Sequence, residues 1–385
     1  MSTNSLNVPR LWCAADAGVG RAACLVARVL LAAACSLGGA GGPAAAQLAS
    51  ATPSATPPAP AEPGACQALV ERLAAFKPVD CSRLALQAGN GRSARGRPIL
   101  MRDFGAPGTA DGAALPPDPA AAKLTLASGA ANASVEAPPD ARPAPDARPI
   151  PAPTPAGTLR KPRVLLVGGI HGDELTATVT VLRWADWLAR DAAAGRALPI
   201  HWRVVPAMNP DGLLARPATR VNANGVDLNR NFPTPGWEPK ARQWWEGTAR
   251  KDPRRFPGRA AASEPETRWL LAEMERFAPD VIVSVHAPFG LLDYDGPKPQ
   301  NLSPPRKLGR LYLDQIGVYP GSLGNYGGVH RGIAVLTIEL PHALELPNDL
   351  ELARMWTDLQ RWIAEYMQRS AAAQAAAGAA SHPAR

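Results

Sequence analysis

The sequence predicts an α/β fold, a largely parallel sheet covered by helices on both faces. Two observations predict it. Short apolar runs at 163–169, 200–206, 281–285 and 333–340 have the length of buried strands. Segments of helical periodicity at about 174–190, 263–279 and 348–368 alternate with them, as a sheet with crossover helices requires. At 385 residues with 46% hydrophobic content, the chain suffices for one large domain or two ordinary ones.

From the N-terminus, a basic stretch ending near Arg28 precedes the apolar run Val29–Leu37, and Ala44-Ala45-Ala46 offers small residues before Gln47. Residues 1–46 therefore read as a signal peptide cleaved near Ala46, with a periplasmic or secreted product. The run is too short for a stable membrane span. Lipid anchoring at Cys35 and an alanine-rich leader on a cytoplasmic protein are the weaker alternatives. Cleavage would leave Cys66 and Cys81, fifteen residues apart, either as a disulfide in an oxidising compartment or as two buried thiols. Residues 47–64 are a Pro/Ala-rich linker.

Leu69, Val70, Leu73 and Phe76 give 65–77 a helical period, and the Gly91–Pro98 turn leads into Ile99-Leu100-Met101, expected as the first strand. Residues 105–160 are low-complexity Pro, Ala and Asp, expected as a disordered insertion between strands. Patterned sequence resumes with the strand at 163–169, the helix carrying Val179, Leu182, Trp184 and Leu188, and the strand Ile200–Pro206. Met208–Gly212 is a dense turn signal, and Ser263-Glu264-Pro265-Glu266 is a helix start. After 281–285 comes a long irregular region, then the last strand and helix. Residues 369–385 are expected as a disordered alanine-rich tail.

Charge excludes little. Residues 1–46 carry Arg10, Arg21 and Arg28 against Asp16, a net +2, so the formal +8 of the whole chain leaves +6. The arginines are scattered without aromatic interleaving, which argues against a nucleic-acid partner.

The chemistry gathers after the strands. His171-Gly172-Asp173-Glu174 follows Val164–Val167, His286 follows Val281–Val285, and Glu339 follows Ala334–Ile338. Ligands of open α/β sheets collect outside the carboxyl ends of strands. Two imidazoles and a carboxylate hold a catalytic zinc with one position left for water, and a further carboxylate can take that water's proton. Each motif alone is weak; their joint placement points to a metallohydrolase. The stretch Arg220–Pro233 is the most specific in the chain, with two arginines held in an Asn/Gly-rich loop. Arginine captures carboxylates bidentately and stabilises oxyanions. The alternative is a polar loop closed by an Asp227–Arg230 ion pair.

These stretches, with Asn209–Gly212, Ser263–Thr267, Asp293–Pro297 and Gly321–Gly324, resemble the zinc carboxypeptidase family, and most nearly its murein peptide amidase branch. The resemblance implies a three-layer α/β/α sandwich with a mixed, mainly parallel twisted sheet, spanning 65–368 around the insertion. It implies one Zn2+ per chain on His171, Glu174 and His286. Glu339 would be the general base and Arg220 the group polarising the scissile carbonyl, with Asn229 and Arg230 clamping a substrate carboxylate. Asp293 or Asp295 would meet an ammonium or serve as turn residues. The family's mobile tyrosine has two candidates, Tyr319 and Tyr326. His201, His330 and His342 receive no catalytic role. The implied activity is hydrolysis of the γ-D-glutamyl–meso-diaminopimelate bond in cell-wall peptides bearing free carboxylates. Rival readings are a carboxypeptidase for ordinary C-terminal residues, a zinc deacylase of N-acyl amino acids, and an inactive cell-wall-binding module. Oligomeric state is left open.

Overall fold

Seven strands form the mixed sheet that organises the chain. The computed structural model describes residues 64–76, 79–106, 161–196, 198–297 and 303–380. These fall in one of two structural units, Thr56–Arg385; the other, Met1–Ala55, lies outside the described residues, as do the linker to residue 63 and nearly all of the 105–160 insertion.

The strands are β1 (Gln87–Arg92), β2 (Pro98–Phe104), β3 (Arg163–Gly168), β4 (His201–Val205), β5 (Val281–His286) and β6 (Leu291–Asp295). Two-residue strands β7 (Lys307–Leu308) and β8 (Leu311–Tyr312) form a separate hairpin, and β9 (Ala334–Glu339) returns to the main sheet. Their spatial order is β1-β2-β4-β3-β5-β9-β6. The four central strands β4, β3, β5 and β9 run parallel, while β1, β2 and β6 pair antiparallel at the margins. The expected α/β sandwich with a mixed, mainly parallel sheet is what the chain forms.

Alternation along each strand separates two cores, because successive side chains leave opposite faces. Leu100, Val164, Leu166, Val281, Val283, Val285, Leu336 and Ile338 enter one core. Ile99, Met101, Leu165, Val167, Ile282 and Val335 enter the other. The first core is covered by helices α1 (Ala65–Arg72), α3 (Leu175–Ala193) and α7 (Asp349–Ala380), through Leu69, Leu182, Trp184, Trp356 and Ile363. The second is covered by α6 (Pro265–Phe277), whose Trp269, Leu270, Met274 and Phe277 recur at helical spacing. Proline at its first turn and left-handed Ala278 after its last residue set the ends of α6. Fully burying one such large side chain stabilises by about 1.5–3 kcal/mol.

Four expectations are corrected. A strand, β1, precedes Ile99–Met101. Its Gln-Ala-Gly-Asn-Gly-Arg sequence has low strand propensity, but Gly91 lets it pass so near Trp269 that a Cβ there would lie 2.6 Å from the indole nitrogen. The region after 285 is not all irregular: β6 pairs with β9, its Leu292 and Tyr294 entering the first core while Leu291, Asp293 and Asp295 take the other face. The turn at 208–212 is a short helix, α4 (Pro210–Leu214), because the Asn209 side chain caps it by accepting from Gly212 N at 2.8 Å. The last helix continues to Ala380 rather than giving way to a disordered tail, as alanine's high helix propensity permits. Cys66 and Cys81 form a disulfide between α1 and α2 (Cys81–Leu84).

Candidate metal centre and active site

The carboxyl ends of β3, β5 and β9 bring four predicted residues together. His171 and Glu174 occupy the turn between β3 and α3. That turn is tight because Gly172 lies against the Gly212 backbone of α4, leaving no room for a Cβ. The glycines of His-Gly-Asp-Glu and of Asn-Pro-Asp-Gly thus serve one contact. The same contact brings in Arg220, whose carbonyl accepts from Gly172 N at 3.4 Å and from Asn209 Nδ2 at 3.2 Å.

His171, Glu174 and His286 are buried, and their donor atoms lie within 4.8 Å of one another. Glu174 Oε1 stands 2.7 Å from His171 Nδ1, Glu174 Oε2 2.9 Å from His286 Nδ1, and the two Nδ1 atoms 3.2 Å apart. Convergence of two imidazole nitrogens and a carboxylate on one point is the donor set of a catalytic metal site. Burial alone would raise the Glu174 carboxyl; the adjoining histidines nevertheless hold it well below the ordinary carboxylate range. Burial pushes His286 down, towards the neutral form a ligand needs.

The alternative reading of the loop paired Asp227 with Arg230, and the structure pairs it elsewhere. Asp227 Oδ1 is 3.1 Å from His171 Nε2, and Oδ2 accepts from Arg220 Nε at 3.1 Å. Such a carboxylate fixes the histidine's tautomer and leaves Nδ1 facing inward. Although burial opposes ionisation of Asp227, Arg220 and His171 depress its pKa far below 3.8. In the Asn-rich loop nothing marked Asp227 as part of the metal centre; its seven-residue offset from Arg220 was the available signal.

Arg220 also donates from Nη1 to Glu174 Oε1 at 3.3 Å, so it lies beside the donor set as expected. Glu339 is mostly buried with Oε2 lacking a hydrogen-bond partner. Burial, reinforced by repulsion from Glu174, pushes the Glu339 carboxyl up to about 8 in the metal-free chain. A carboxyl oxygen left unsatisfied beside two imidazoles and a carboxylate fits a site meant to receive positive charge.

Arg230 and Asn229 share a 3-10 turn, Leu228–Arg230, capped by Asp227. Asn229 Oδ1 accepts from Leu323 N at 2.8 Å, which leaves its Nδ2 to donate elsewhere. Asp293 and Asp295 share the sheet face of Glu339, opposite Thr337 and Val335 of β9. Asp295 lies under the π-helical turn Gly324–His330, against Gly324 and Gly328, and so backs that turn. Tyr326 stacks near Phe232 and accepts from Arg331 at 3.1 Å. Tyr319, not Tyr326, is the tyrosine brought against Arg230. His342 caps the following turn, accepting from Leu344 N and Glu345 N.

The sequence profile of the zinc carboxypeptidase family matches residues 80–317, more than half of the chain and inclusive of all three candidate metal donors. The chain belongs to the zinc carboxypeptidase family. It is 32% identical to murein peptide amidase A of Vibrio campbellii over 197 residues, 49% of this chain and 73% of that protein. Its identity to murein peptide amidase A of Escherichia coli K12 is 34% over 144 residues, 36% of this chain and 54% of that one. It thus spans about three-quarters of the first relative and about half of the second. Superposed on the crystal structure of murein-tripeptide amidase from Escherichia coli O157, it has a TM-score of 0.38 and 22% identity, covering 71% of this chain and 89% of the other. Bovine thrombin-activatable fibrinolysis inhibitor gives 0.48 and 13%, covering 79% and 97%. As a member of the zinc carboxypeptidase family, this chain is a metallopeptidase whose His171, Glu174 and His286 can hold the family's metal.

Proposed function

We propose that this metallopeptidase is a zinc amidase of murein peptides, cleaving the γ-D-glutamyl–meso-diaminopimelate bond. The observation that carries the hydrolytic reading is the convergence of His171, Glu174 and His286 beside Glu339, whose Oε2 has no hydrogen-bond partner. The murein reading is supported by similarity to murein peptide amidase A over nearly half the chain.

Zinc on these donors supplies a Lewis acid that polarises a carbonyl and acidifies water. Glu339 takes a proton from the attacking water and returns it to the leaving amine nitrogen. Arg220, oriented by Asp227, donates to the carbonyl oxygen as charge develops there. Arg230 and Asn229 Nδ2 receive the carboxylate of the leaving diaminopimelate. Asp293, on the sheet face of Glu339, meets the second ammonium, while Asp295 supports the π-helical turn.

The test is digestion of L-Ala-γ-D-Glu-meso-diaminopimelate by metal-loaded protein, with products weighed by mass spectrometry. Release of free diaminopimelate is expected. Cleavage confined to α-linked C-terminal residues would instead assign an ordinary carboxypeptidase. Export, which the N-terminal pattern and the Cys66–Cys81 disulfide favour, follows from the same substrate and is checked by cell fractionation. Among the described residues, no helix is long and apolar enough to cross a membrane.

A further inference from the structure

Arg230 is a buried cation of an uncommon kind. It is 6% exposed, its Nε is buried without a hydrogen-bond partner, and no ion pair joins it to a carboxylate among the described residues. Its Nη1 donates to the Asn229 carbonyl at 2.6 Å. Burial lowers its pKa to about 10, with Asp227 opposing the fall. A charge taken out of water costs several kcal/mol unless something compensates it.

Two aromatic rings supply part of that compensation. Arg230 Cζ lies 4.7 Å from the ring centre of Trp244 and 4.6 Å from that of Tyr319. The rings are themselves 5.5 Å apart at 67°, so they form two walls of a corner and do not sandwich the guanidinium. Trp244 comes from helix α5 (Trp237–Glu246), which is tied to the same turn by Trp237 Nε1 donating to the Arg230 carbonyl at 2.8 Å. Tyr319 is anchored at both ends. Its hydroxyl donates to Ile316 O at 3.1 Å, and its own carbonyl accepts from Asn325 Nδ2 at 2.9 Å. Gly321, two residues on, passes so near the Arg230 carbonyl that no Cβ fits. Three separate stretches of chain thus meet around one side chain.

We propose that Trp244 and Tyr319 are positioning residues for Arg230, an aromatic corner that fixes the guanidinium without a protein carboxylate and reserves its donors for a carboxylate of the substrate. An acidic neighbour would stabilise Arg230 as well but would occupy the donors that substrate must use. A π face attracts the cation from outside the guanidinium plane and leaves the in-plane N–H groups free to bond. The corner therefore makes selectivity for a free carboxylate stronger than the arginine alone would give. This rests on the reading of Arg230 as the carboxylate-binding group.

The test compares Trp244→Leu, Trp244→Phe and Arg230→Gln on the diaminopimelate tripeptide and on its analogue with the carboxylate beside the scissile bond converted to carboxamide. Trp244→Leu keeps apolar bulk while removing the π face. It is expected to raise KM for the acid about tenfold, with kcat and turnover of the carboxamide unchanged, and Trp244→Phe should restore most of the loss. Calorimetric binding of free meso-diaminopimelate should follow the same order without requiring turnover. If Arg230→Gln raises KM while Trp244→Leu does not, or if Trp244→Leu weakens acid and carboxamide alike, the aromatic corner is refuted and the carboxylate role of Arg230 stands. If Arg230→Gln leaves both KM and diaminopimelate binding intact, the carboxylate role falls and the corner with it.

Discussion

His286 and Glu339 are register partners on the adjacent parallel strands β5 and β9, so a candidate metal donor and the acid proposed to work beside it leave the same face of the sheet. Neither needs a loop to reach the site. Both emerge at the strand ends, where β-pairing fixes their relation, and the remaining donors arrive from the turn after β3.

Glu339→Gln keeps the shape of the side chain and removes its ability to accept a proton. Glu339 is not among the three donors, so metal content should match that of the parent. The kcat should fall by about 10²–10⁴-fold. Metal analysis beside steady-state rates checks this, and a variant with full metal and full activity would remove Glu339 from the proton path.

Asp227→Asn leaves His171 Nε2 facing an amide in place of a carboxylate, and deprives Arg220 of its strongest partner. Metal affinity should drop about 10–100-fold, as it does when a carboxylate behind a ligand histidine is lost. Competition with a chromophoric chelator measures it. Unchanged affinity would mean that the hydrogen bond to His171 does not tune the site.

The candidate metal donors and Glu339 were legible because each ends or closely follows an apolar strand whose pattern is itself strong. Asp227 was not: a carboxylate in an Asn-rich loop looks like local ion pairing, and only the fold brings it to His171, 56 residues earlier. The same reason hid β1 and β6. Glycines in Gln87–Arg92 and aspartates in Leu291–Asp295 lower strand propensity, and each strand is secured instead by pairing with a neighbour already in place. Trp244 likewise had no period or motif to mark it, and Tyr319 stood only as one of two candidates for the family's tyrosine, since the fold creates their contact with Arg230.

Metal uptake should release a proton from Glu339. In the metal-free chain its pKa is pushed up to about 8 by burial and by the Glu174 carboxylate, so at pH 7 it is mostly protonated. A dication bound beside it favours the ionised form and drives that proton off. Calorimetric titration with zinc at pH 7, in two buffers of different ionisation enthalpy, should count about one more proton released by the parent than by Glu339→Gln. Near pH 9 Glu339 is already ionised before metal arrives, so the two counts should converge. Equal counts at pH 7 would show that Glu339 is charged without metal.

Away from the site, Asp103 should set part of the acid limit of stability. It joins β2 to β4 by accepting from Arg203 Nε and Nη2, both at 2.8 Å, with His201 Nε2 at 3.3 Å. Burial alone would raise its pKa, but the bonds to Arg203 and His201 outweigh that and lower it below 3.8. A carboxyl whose folded pKa is depressed contributes stability that is complete above its unfolded pKa and vanishes as pH falls through the folded one. Asp103→Asn should therefore destabilise by about 3 kcal/mol at pH 7, the low end for breaking a buried pair. The low end applies because Glu273 still holds Arg203 Nη1 at 2.8 Å. Urea unfolding followed from pH 7 down to pH 2 should show the gap between parent and variant narrowing only below about pH 4. A gap that stayed constant to pH 2 would mean that Asp103 acts through packing and not through its charge.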